Sequence, residues 1–165
     1  MKVMVAACAL GLAIAGFAQD QHSGMDHAAH MKAMEARGEK AMGFSQTATT
    51  HHFVLQKDGG YVQATANDKS DAKSIEQIRA HLFDIQKRFA EGDFSAPELT
   101  HGRMPPGVDT LQSLKSDIRY NVKLIDQGGR LYLSSKNAQA VVAIHEFLKF
   151  QIEDHGTGDP TAVQK

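Results

Sequence analysis

TTHHFVLQKDGGYVQATA, residues 49–66, decides the fold. His51, Phe53 and Leu55 alternate with His52, Val54 and Gln56, the period of a half-buried strand. Lys57-Asp58-Gly59-Gly60 is turn chemistry, and Tyr61 to Ala66 alternates again, so the stretch reads as a β-hairpin. The period then lengthens. Ile75, Ile78, Leu82, Ile85 and Phe89 recur at steps of three and four, one apolar stripe of a helix. Ser74 with Gln77 fits a capping box at its start, and Gly92 suits its end.

The second half repeats the plan. Ile118, Tyr120, Val122 and Leu124 alternate with polar residues, Asp126-Gln127-Gly128-Gly129 turns the chain, and Leu131 and Leu133 continue the inward face. Asn137 can cap a helix whose stripe is Val141, Ile144, Leu148 and Ile152, ending near His155-Gly156. Two ββα units predict an α+β fold: one four-stranded antiparallel sheet with both helices on a single face. Residues 43–160 are expected to hold this domain. Between the halves, GDFSAPELTHGRMPPGVD is read as a long proline-rich loop packed on the body through Phe94, Leu99 and Val108.

Ahead of the domain, residues 1–18 have a lysine at position 2, a short apolar run and small residues before a cut after Ala18: a signal peptide. The run is too short to span a bilayer, which takes ~20 apolar residues. The expected compartment is therefore periplasmic or secreted, with no membrane span after signal removal. Residues 19–42 are polar, alanine-rich and carry His22, Met25, His27, His30, Met31 and Met34, and are expected to form a disordered His/Met-rich tail, with room for a helical stretch from His27 to Glu39.

The single cysteine, Cys8, lies in the signal segment, so the mature chain has no disulfide, thiol nucleophile or thiolate metal site. The formal charge of −1 gives no basic patch for nucleic acid or an anionic membrane. There is no G-x-S-x-G, H-E-x-x-H, phosphate loop or C-x-x-C-H, hence no recognisable catalytic frame. Nine histidines stand out, because histidine and methionine are the soft or borderline ligands left to an exported chain without cysteine.

Candidate metal ligands are His51, His81, His101, Met104, His145 and His155. His51 shares the inward parity of Phe53 and Leu55, which puts His52 on the open face. His81 and His145 sit on the shoulders of the two helical stripes and become near-equivalent if a pseudo-twofold axis relates the halves. His101 and Met104 form H-x-x-M in the loop, and His155 closes the second helix, too far from His145 along the axis to share an ion with it. Each also has a plainer reading: a hydrogen-bonded core-edge histidine, a cation at a helix C-terminus, or a methionine plugging its loop.

The run MGFSQTATTHHF, with QIRAHL, TH-x-x-x-PPGV and HEFLKFQIEDHGTGDP, resembles an uncharacterised family of secreted bacterial proteins. The resemblance covers Met42 to Pro160. It implies a shared set of histidine positions and names no ligand. The expected function is an exported metal-binding protein, a copper carrier or buffer, with zinc also compatible. The alternative is an exported domain binding a small organic ligand or haem on its open sheet face through His52, Tyr61 and Tyr132. That same face would serve a homodimer.

Overall fold

The computed structural model describes the backbone of residues 19–164 and the side chains from Ala28 onward. The signal peptide expected at 1–18 lies outside the described residues. The elements are α1 (Gln19–Met42), β1 (Thr49–Gln56), β2 (Gly59–Ala66), α2 (Ala72–Glu91), α3 (Ser95–His101), α4 (Val108–Ser113), β3 (Ile118–Ile125), β4 (Gly128–Ser135) and α5 (Ala138–His155). The strands form one antiparallel sheet in the order β1-β2-β4-β3. The fold is α+β. No described helix is long and apolar enough to cross a membrane.

The two hairpins share one register rule: Gln56 pairs with Gly59 and Ile125 with Gly128. Each turn is thus only two residues, Lys57-Asp58 and Asp126-Gln127, and both glycine pairs belong to strands rather than to turns. Their second members explain the repeat. A Cβ at Gly60 would run into Val54 O and stand 2.5 Å from Leu148 Cδ1, and one at Gly129 would stand 2.7 Å from Leu82 Cδ1. Glycine lets each helix settle on the sheet at these points.

The helices exchange partners. α2 follows the first hairpin but lies chiefly over β3 and β4, while α5 lies chiefly over β1 and β2. Leu55, Ile78, Leu131, Leu133, Ile144 and Leu148 are essentially fully buried between the sheet and this helix layer. Each hairpin is covered by the other half's helix, so neither ββα unit buries its own apolar face alone.

Four expectations change. Residues 19–42 are helix α1, not a disordered tail. With no apolar stripe it contributes little to the central core, yet it docks along α3 through Met34, 1% exposed, and through Arg37 Nε, which donates to Thr100 O at 3.0 Å. The loop after Gly92 contains α3 and α4, short helices that anchor Phe94, Val108 and Leu111 in the core. Leu99, expected to help seat that loop, is instead 51% exposed. The N-cap of α2 is Asp71, whose carboxylate accepts from Ser74 N, while Gln77 donates to Gly43 O instead of closing a capping box.

Beyond α5 the chain turns back along β1, an edge strand. Phe53 N donates to Asp159 Oδ2 at 3.0 Å and Gln164 N to Leu55 O at 2.8 Å. This segment covers an edge whose backbone groups would otherwise stay open to pairing with another chain.

Candidate functional site

A small cavity of about 90 Å³ lies under the helix layer, between β1, α2, α3 and α5, with mainly apolar walls. Four histidines line it: His51 from β1, His81 from α2, His101 from the end of α3 and His155 from the last turn of α5. Strand parity turns His51 inward, as the alternation around Phe53 predicts. His155 comes from the α5 stripe one turn after Gln151, which also faces the cavity. Met42, at the end of α1, completes one wall.

The imidazoles are framed by phenylalanine. The Phe44 ring lies 6.1 Å from that of His51 and 5.5 Å from that of His81, and Phe53 lies 5.5 Å from His155. His51 and His155 are near-parallel neighbours, centroids 6.0 Å apart, and His101 meets His155 edge-on at 5.0 Å.

Burial sets the protonation of three of these rings. It pushes His51 down to about 4, with His81 and His52 adding repulsion. It pushes His81 down to about 4 despite Asp84, and His155 down to about 3, with His51 and His101 adding to the shift. All three are neutral at pH 7, each with a free lone pair. None makes a hydrogen bond to a described residue.

His101 is different. Its Nδ1 donates to Asp154 Oδ2 at 2.6 Å and its Nε2 lies 2.9 Å from the side-chain amide of Gln151, which is left to donate to it. Asp154 also accepts from His30 of α1 at 3.3 Å and from Arg103 at 3.5 Å. Burial alone would raise the Asp154 carboxyl, but its hydrogen bonds to His101 and His30 hold it below the usual carboxylate range. His101 is therefore the hub that ties α3, α5 and α1 together, with both ring nitrogens engaged.

Two proposed ligands fall away from the cluster. Met104 is 39% exposed and does not line the cavity. His145 turns to the β1–β2 hairpin, where Nε2 donates to Gln56 O at 2.8 Å and Gly59 O at 3.0 Å. Its counterpart in the other half is not His81 but Arg79, which donates to Ile125 O at 2.8 Å and Gly128 O at 3.3 Å. The helices match from the caps Asp71 and Asn137, an offset that pairs His81 with Phe147. A shared His81–His145 site is thus replaced by two hairpin clamps.

The same correspondence isolates the cavity histidines. The position of His51 is taken in β3 by Tyr120, and that of His155 in α2 by Phe89, which pack against each other at 5.9 Å. One half has an aromatic core contact where the other has a pair of imidazoles.

His52 faces the open side as expected but is not idle, since its Nδ1 donates to Asp159 Oδ1 at 2.9 Å. Sequence reading missed Gln151, Asp154, Asp159 and Met42. Gln151 and Asp154 were visible only as polar residues next to an apolar stripe. No three His, Cys, Asp or Glu side chains among the described residues stand close enough to grip one ion. No protein-family model, curated protein or solved structure matches the chain.

Proposed function

We propose that the protein is an exported copper carrier or buffer that takes Cu(I) between His51 and His155. The observation that carries this reading is a pair of half-buried, neutral imidazoles without a hydrogen-bond partner among the described residues, 6.0 Å between centroids, on an apolar cavity. With metal–imidazole bonds of ~2.0 Å, two-coordinate binding needs ring nitrogens about 4 Å apart, which these neighbouring rings would reach by turning toward each other. Cu(I) accepts so few ligands that a third converging side chain is not required, and the thioether of Met42 on the same wall favours the soft ion. Apolar walls also penalise a dication more than a monocation. A cavity of about 90 Å³ is far below the ~300–1,000 Å³ of sites for drug-sized ligands, which weighs against haem or a large organic molecule inside it.

A second reading keeps the organic ligand on the open sheet face. There Tyr61 and Tyr132 lie 5.1 Å apart and Arg130 stacks on Tyr61 at 4.9 Å. His52, committed to Asp159, is a poor member of such a site.

Equilibrium dialysis against Cu(I) under reductant, Cu(II) and Zn(II) tests the proposal. The full chain is expected to retain about one equivalent of Cu(I), and a His51→Ala/His155→Ala double variant to lose it. Retention by the double variant equal to the parent would end the pocket reading.

A further inference from the structure

On the open face of the sheet, Lys123 of β3 stands directly opposite Arg130 of β4. Like charges facing each other across a strand pair repel, so this contact works against the fold. Neither cation is in an ion pair with a described residue; the arginines that are so paired are Arg88 and Arg103. No outward residue of the four strands is acidic. Acids meet this face at the strand ends, where Asp58 and Asp117 neighbour Arg119 and Asp126 neighbours Arg130.

Arg130 is held in place. Its Nε donates to Gln63 Oε1 at 2.7 Å, and its guanidinium lies 4.9 Å over the Tyr61 ring. Tyr132, two residues along the same strand and so on the same face, stands beside Tyr61 at 5.1 Å. An aromatic surface, a fixed guanidinium and an ammonium therefore adjoin one another. The first accepts a planar ring by stacking, and the two cations accept a carboxylate. One pair of cations matches one carboxylate, which favours a small ligand over a polyanion. A second copy of the chain docked through this face would set cation against cation.

We propose that the open sheet face binds a small aromatic carboxylate, its ring on Tyr132 beside Tyr61 and its charge between Lys123 and Arg130. The bound anion offsets the cross-strand repulsion. This inference rests on the second reading above and names its ligand class. It is independent of copper, since the cavity lies under the helix layer on the other side of the sheet.

The test is titration of the full chain with naphthoate, followed by proton–nitrogen NMR. Naphthoate should move the amide signals of Tyr61, Lys123, Arg130 and Tyr132 and leave that of His155 in place. Naphthamide keeps the ring and loses the charge, so it should bind about tenfold more weakly, the share of hydrogen bonds to a charged group. Lys123→Gln, an exposed change that leaves the core alone, should close most of that gap. Tyr132→Leu should weaken naphthoate about fivefold, the share of a stacked ring. Naphthamide bound as tightly as naphthoate overturns the carboxylate and leaves an organic-ligand face standing. Cyclohexanecarboxylate bound as tightly as naphthoate overturns the stacked ring. Polygalacturonate moving these signals where naphthoate moves none gives the face to a polyanion and overturns the small ligand. No change at the face with any of these probes overturns this inference and the second reading together.

Discussion

His155 and Phe89 occupy matching positions of the two halves, and the difference between them has a measurable cost. Burial puts the folded-state value of His155 at about 3, against an ordinary value near 6.5. As pH falls below about 7 the unfolded chain gains a proton there that the folded chain refuses, so stability drains away toward pH 4. His51, at about 4, acts with the same sign. His155→Phe, which copies the other half, should remove its share. Chemical denaturation at pH 5 and pH 8 should show a gain on the order of 1–2 kcal/mol at pH 5 and a much smaller one at pH 8. Equal gains at both values would mean that the ring is not held neutral by burial. His51 was readable in the sequence because strand parity is strict and Phe53 and Leu55 fix which side is inward. The partners of His101 were not, because Gln151 and Asp154 approach it only once α3 has folded against α5.

Elements with a clear apolar period, the four strands with α2 and α5, were legible because each must hide one face. α1, α3 and α4 were not. Their helical state is owed to docking, and α1 shows no stripe that a periodic reading could find. The exchange of helices between hairpins was also hidden, since the pattern says that a face is buried and not what buries it. That exchange separates His145 from the cavity. His145→Ala leaves Gln56 O and Gly59 O without their donor and should cost ~1–3 kcal/mol, measured by urea unfolding. Copper affinity, measured alongside, should stay within a factor of two or so of the parent, since His145 does not line the cavity. A large loss of metal with little loss of stability would return His145 to the site.

At the scale of the whole molecule, one four-stranded sheet and two exchanged helices make a pseudo-symmetric frame with an asymmetric interior. One half is closed by Phe89 and Tyr120, the other opens on His51 and His155. α1 and α3 cover that half, Met42, Ala96, Pro97, Thr100 and His101 lining the cavity, and the C-terminal segment fixes β1 beside it through Asp159. In the function proposed above, this asymmetry is a metal site made of His51 and His155. Long-range proton–nitrogen NMR of the imidazoles, before and after one equivalent of Cu(I), tests it most directly. Ring nitrogen signals of His51 and His155 should move to values typical of a metal-bound imidazole while those of His145 stay in place. Unchanged His51 and His155 signals, with copper bound or not, would contradict the account.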